Sequence, residues 1–181
     1  MGRRVSLTNG TQLDAPPMAR PDRGRYAAIA LGSNLGDRAS HLAFAVDRLR
    51  SVLSDVVVSA FVETAPEHDA DEPPFLNGAL VGATRATPEQ LLSSLLKIES
   101  ERGRTRAYAG APRTLDLDLV LLGELTADTP TLTLPHPRFR SRLFVLGPLA
   151  EVAPGLVDPV TGRSVRELLQ LLGSSQGERT D

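Results

Sequence analysis

Four short apolar or β-branched stretches interleave with two amphipathic helical patterns in the order β-α-β-β-α-β, with no fixed repeat period. That order predicts an α+β fold, a ferredoxin-like β-α-β-β-α-β sandwich, and the helical segments that follow it predict C-terminal additions. Turn-forming residues bound the strand-like runs, and each helical pattern of the sandwich opens on a residue able to cap it.

Residues 1–24 are polar, proline-bearing and without periodicity, and read as a disordered leader; residues 25–173 read as one domain and 174–181 as a flexible tail. "YAAIAL" from Tyr26 is the first strand, ended by the glycines and turn formers of "GSNLGD". Asp37 can cap a helix over 38–53, where Leu42, Ala45, Val46, Leu49, Val52 and Leu53 recur at helical spacing. "DVVVSAFVET" (55–64) is β-branched and aromatic, which predicts one strand, and "FLNGALVGAT" (75–84) predicts the next, across an acidic, proline-rich loop. Thr87-Pro88-Glu89-Gln90 spells a capping box with proline at the first helical position, opening a helix to about Arg102. The fourth strand lies in "APRTLDLDLVLLGE" (111–124). A short "TLTL" strand, a helix from Leu143 to Val152 and a last helix from about Ser164, where "SVRE" resembles a capping box, complete the chain.

Composition narrows the function classes. With 181 residues, 41% apolar and 23% charged, the chain suits one soluble domain, and no apolar run approaches the ~18 residues of a membrane span. It has no cysteine, which excludes disulfides and thiolate zinc sites, and no export signal, so a cytoplasmic protein is expected. Nothing in the residues specifies an oligomer, and a monomer is the working expectation. The net charge of −2 is unevenly spread: Arg102, Arg104, Arg106, Arg113, Arg138, Arg140 and Arg142 fall in two acid-free stretches, and without them the balance would be −9. An acidic chain with two local arginine clusters suits a focused anion site better than the broad basic face of a nucleic-acid binder.

The fourth strand carries the chemistry. Alternation puts Leu115, Leu117, Leu119 and Leu121 on one face and Thr114, Asp116, Asp118 and Val120 on the other. Same-face neighbours lie about 7 Å apart between α-carbons, so two ionised aspartates repel unless a cation sits between them. Hard oxygen ligands at that spacing suit Mg²⁺, which takes one or two carboxylates and completes its shell with water and phosphates. An edge strand whose aspartates merely face solvent has the same spelling. The adjoining "RGRTRAYAGAPR" (102–113) adds arginines on a glycine-containing loop able to fold over a polyphosphate. There is no G-x-x-x-x-G-K-S/T, so this is not a P-loop enzyme.

Six segments in order, "ALGSNLGD", "FVETAPEH", "PPFLNGAL", "IESERGRTR", "PRTLDLDLVLLG" and "LPHPRFRSRLFVLGPLAEVAP", resemble the 6-hydroxymethyl-7,8-dihydropterin pyrophosphokinases of folate biosynthesis, over roughly residues 26–172. The resemblance implies a transferase that moves the pyrophosphoryl group of ATP, with two Mg²⁺, to the hydroxymethyl group of the dihydropterin and releases AMP. It implies Asp116 and Asp118 as ligands of both ions. It implies Arg104, Arg106 and Arg113 as the catalytic loop arginines, and Glu99, Arg106, Arg113, His136 and Arg142 as ATP contacts. For the pterin it implies Phe75 and Phe144 as stacking rings, Asn77 as partner of the amide edge, and Gly32, Thr64, Ala65 and Glu67 as pocket wall. No nucleic-acid or membrane partner is implied.

Plainer readings exist for several of these. Phe75 and Phe144 could be core residues, Asn77 could be satisfied by a ligand or a loop carbonyl, His136 could close a turn between prolines, and Glu99 with Arg102 could form an exposed helix pair. A non-catalytic ferredoxin-like module binding RNA through its arginines and aromatics is the alternative function. The chain departs from the family at "YAGAP" (108–112), where members carry a tryptophan before the proline matching Pro112 and Tyr108 is the aromatic left to pack there. It also departs at Ala65, where some members have proline.

Overall fold

The computed structural model describes residues 4–5, 24–66, 72–103 and 112–177. In chain order the elements are β1 (Arg4–Val5), β2 (Arg25–Ser33), α1 (Arg38–Leu49), β3 (Ser54–Val58), β4 (Phe61–Thr64), β5 (Phe75–Thr84), α2 (Pro88–Glu101) and β6 (Asp116–Leu122). A hairpin of β7 (Ala127–Asp128) and β8 (Thr133–Leu134), a 3₁₀ turn (Phe139–Ser141), α3 (Leu143–Val152) and α4 (Val165–Gly177) follow.

One antiparallel sheet runs β1-β4-β5-β2-β6, with β3 also paired to β5. β5 is therefore central, and β2 lies between it and the edge strand β6. Helices α1 and α2 cover one face through Leu42, Ala45, Leu49, Leu91, Leu95 and Ile98, which pack with Ile29, Leu31 and Leu80 of the sheet. The other face meets α3 and α4 through Val145, Leu146, Leu149, Val165 and Leu168, packed with Ala28, Ala79 and Val81. The first layer and the sheet are the predicted α+β sandwich; the C-terminal additions supply the second helical layer.

Local chemistry explains the boundaries. Asp37 accepts from Ser40 N–H at 3.0 Å and starts α1, and Thr87 and Gln90 make both bonds of the capping box at α2. Ser164 and Glu167 do the same at α4, which continues past the predicted tail boundary to Gly177. Arg4–Val5, within the stretch read as a leader, pair with Val62 and Phe61. Helix α1 ends at Leu49 rather than 53, although Leu53 still donates to Leu49 O at 2.9 Å and stays buried.

Two predictions need correction. The single strand expected over 55–64 is broken at Ser59-Ala60, because buried Ser59 replaces a regular rung: its N–H donates to Ala79 O and its Oγ accepts from Ala79 N–H, each at 2.9 Å. Glu151 of α3 then accepts from Ala60 N–H at 3.0 Å. The strict alternation expected along 115–121 also fails. Leu119 pairs with Ile29 but Leu121 with Ala28, so Val120 is an extra residue, a β-bulge. Leu115, Leu117 and Leu119 stay in the α1–α2 core, while Val120 and Leu121 both enter the α3–α4 core and Leu122 returns to the first.

Candidate active site

Because Leu115 and Leu117 are buried under α1 and α2, the side chains of Asp116 and Asp118 project from the opposite face of the sheet, ahead of the bulge. They are partly shielded, at 21% and 40% exposure, and do not simply face solvent. Asp116 lies across from Gly32 of β2, and Gly32 lies across from Asn77 of β5 on its other side. A Cβ at Gly32 would stand 2.9 Å from Asn77 Oδ1 and 3.8 Å from both Asp116 Cβ and Phe75 Cδ1. The missing side chain thus leaves a trough between three of the predicted site residues.

On the β5 side, Asn77 is buried and its Nδ2 donates to Thr64 Oγ1 at 2.7 Å, so its partner is a hydroxyl of the neighbouring strand. Thr64 pairs with Phe75, and Ala65 follows at the exposed end of β4. Phe75 and Phe144 are both half-buried, and Phe144 packs against the α3–α4 core.

On the β6 side, Arg113 Nη1 lies 3.2 Å from Asp116 Oδ2, and its guanidinium carbon is 5.9 Å from the Phe75 ring centre. Arg113 Nε is buried and has no hydrogen-bond partner among the described residues, a donor that calls for an acceptor oxygen. His136 is hung on the bulge, donating its N–H to Val120 O at 2.9 Å, with Nε2 3.9 Å from Asp118 Oδ2. Its Nδ1 accepts from Arg138 N–H at 3.2 Å. Burial lowers the His136 pKa; Asp118 opposes this, Arg142 and Arg138 add to the lowering, and Asp116 raises it. The neutral ring therefore carries its proton on Nε2, toward Asp118. Arg142, at the start of α3, has its guanidinium 5.3 Å from the Phe144 ring centre.

Glu99 corrects the exposed-pair reading. It is buried, and Oε1 accepts from Leu117 N–H at 2.7 Å, fixing β6 between the two aspartates. Arg102 turns instead to α1, donating to Ser40 O at 3.1 Å over the Phe44 ring. Arg104, Arg106 and Glu67 lie outside the described residues. The site also contains Asn34 and Arg38, which residue order marks only as a turn former and a helix start. Asn34 bonds the backbone of Arg113, and Arg38 donates to Pro74 O and to Glu63 Oε2.

Among the described residues no group of three or more His, Cys, Asp or Glu side chains could hold a metal alone. Two carboxylates beside an arginine with a spare N–H and a neutral imidazole N–H instead fit a hard divalent ion that arrives with phosphate oxygens.

The family model for 7,8-dihydro-6-hydroxymethylpterin-pyrophosphokinase matches residues 28–154. The 2-amino-4-hydroxy-6-hydroxymethyldihydropteridine pyrophosphokinase of Methylorubrum extorquens is 42% identical over 157 residues, covering 86% of this chain and 98% of the relative. The protein of the same name from Bacillus subtilis is 45% identical over 128 residues, covering 70% and 77%. Among solved structures, Plasmodium falciparum HPPK-DHPS shares the fold with a TM-score of 0.68 at 14% identity. The likeness spans 86% of this chain and 46% of that one, under half its length.

Proposed function

Since this chain belongs to the 7,8-dihydro-6-hydroxymethylpterin-pyrophosphokinase family, we infer that it catalyses ATP-dependent pyrophosphoryl transfer to 6-hydroxymethyl-7,8-dihydropterin in folate biosynthesis. The hydroxymethyl oxygen attacks the β-phosphorus, the bond from that phosphorus to the α-phosphate bridging oxygen breaks, AMP leaves and the hydroxyl proton is released. The observation that carries the assignment of this reaction to the trough is the row Asp116, Gly32, Asn77, with a carboxylate at one end, a buried amide at the other and the half-buried Phe75 ring beside the glycine between them.

In this reading Asp116 and Asp118 hold two Mg²⁺ ions, which when bound neutralise charge on the triphosphate. The paired carboxylates and the spare Arg113 Nε–H support that fit. Arg113 donates to a phosphate oxygen while Asp116 and the Phe75 ring hold its guanidinium in place. His136 adds a neutral Nε2–H, and Arg142 adds positive charge from the α3 side, so positioning and charge neutralisation should matter more than any general base. Arg104 and Arg106 complete the cationic loop, and Glu99 lies on the adenosine side while steadying β6. Phe75 and Phe144 stack on the pterin. Asn77 commits Nδ2 to Thr64, so Oδ1 is the atom it turns to an N–H of the heterocycle's amide edge. Gly32, Thr64, Ala65 and Glu67 form the wall.

The RNA-binding alternative is not supported, and the paired carboxylates would repel a phosphate backbone. No helix among the described residues is long and apolar enough to cross a membrane. A cytoplasmic, monomeric enzyme with its catalytic unit in residues 25–173 completes the proposal. The test is AMP formation from ATP: it should require both Mg²⁺ and the hydroxymethyl pterin, and AMP release that ignores the pterin would overturn the reading.

A further inference from the structure

Arg113 stands before β6 begins, outside any helix or strand, so no regular ladder fixes its backbone. Asn34 does that work from 79 residues away: its N–H donates to Arg113 O at 3.1 Å, and its Oδ1 accepts from Arg113 N–H at 2.8 Å. The same side chain extends Nδ2 to within 3.5 Å of Pro73 O, two residues before Phe75. Asn34 is only 2% exposed, so its polar atoms have these partners in place of water. One buried amide thus ties the segment that carries the phosphate-side cation to the segment that carries the pterin-side ring. Arg113 and Phe75 are themselves in contact distance as cation and ring.

We propose that Asn34 is a positioning residue for the transfer: it sets the Arg113 backbone so that the guanidinium meets Asp116, Phe75 and the reacting phosphate together. The proposal rests on the pyrophosphokinase reading of this site. Misplacement of a reacting group by about 1 Å can cost on the order of 100-fold in rate, so loss of the clamp should act on turnover more than on ground-state affinity.

The experiment is a double-mutant cycle in the full chain with Asn34→Ala, Arg113→Ala and the pair, alongside Asn34→Asp. The readouts are kcat, the KM for ATP and for pterin, and the thermal midpoint. Asn34→Ala should lower kcat about 10- to 100-fold with the KM for ATP changed less than about threefold. In the Arg113→Ala background the same change should cost less than about twofold, because its target is gone. Asn34→Asp keeps the acceptor for Arg113 N–H and should recover most of kcat while raising the KM for pterin. Full additivity in the cycle, or Asn34→Asp as impaired in kcat as Asn34→Ala, would overturn the role of Asn34. If Asn34→Ala shows no cooperative melt, Asn34→Ser, too short to reach Arg113 N–H, takes its place under the same criteria. A wild-type chain that forms no AMP would overturn the functional reading itself, which separates the two failures.

Discussion

Asn77 and Asp116 stand on opposite sides of Gly32, one strand away in each direction, and both approach the space a side chain there would fill. The floor of the proposed site is therefore a single α-carbon. The Gly32→Ala methyl would lie 2.9 Å from Asn77 Oδ1, closer than real contacts allow. That amide is tied to Thr64 and cannot swing away freely. The variant should lose about 1–3 kcal/mol of stability by overpacking and show a raised KM for pterin with the KM for ATP little changed. Chemical denaturation and steady-state kinetics check both, and an unaltered pterin KM would contradict the trough as pterin floor.

Asp116→Ala and Asp118→Ala should each abolish AMP formation while the thermal midpoint stays within a few degrees. Removing one of two like-charged carboxylates relieves a repulsion that offsets the Arg113 ion pair lost with Asp116, and neither side chain belongs to a core. Mg²⁺-dependent AMP release retained by both variants would sink the metal assignment.

Arg104→Ala and Arg106→Ala should reduce kcat by more than they weaken binding of a nonhydrolysable ATP analogue, as expected for cations that act on developing charge. Equal losses in turnover and affinity would make them ground-state contacts only.

The segment carrying His136 and Arg142 is anchored from behind by Arg140, whose Nε and Nη2 donate to fully buried Asp158 at 2.7 and 2.8 Å. Burial alone would raise the Asp158 pKa, but the bonds from Arg140, Thr161 and Val160 N–H outweigh it and hold the carboxyl below the ordinary aspartate range. A depressed folded value means stability that is fully present above the unfolded-state pKa and lost as pH falls through the folded one. Asp158→Asn should cost about 3 kcal/mol at neutral pH, at the low end for a broken buried pair because Arg140 keeps some solvent. The gap to wild type should narrow as pH drops below the ordinary aspartate range. A gap independent of pH in urea titrations would show that the charge is not what matters.

Much of this was legible from residue order. The caps at Asp37, Thr87 and Ser164 are local chemistry spelled within four residues, and the structure makes each bond. The paired aspartates announce themselves by alternation along one strand. What escaped depends on partners far along the chain. Ser59 breaks a strand because Ala79 lies opposite. Asn34 reads as a turn former until Arg113 is beside it. Glu99 looks like half of a surface pair until β6 offers Leu117 N–H. The extra residue at Val120 has no local signal, since a run of valine and leucines fits either face.

That bulge has a consequence for how the chain tolerates changes of length. It lets β6 change which side chains face which helical layer partway along, so the aspartate end and the far end keep independent phase. Deleting Val120 would give a more regular ladder while pulling away the carbonyl that suspends His136. A one-residue insertion between Asp118 and Val120 would force either the carboxylates or the leucines beyond them onto the wrong side of the sheet.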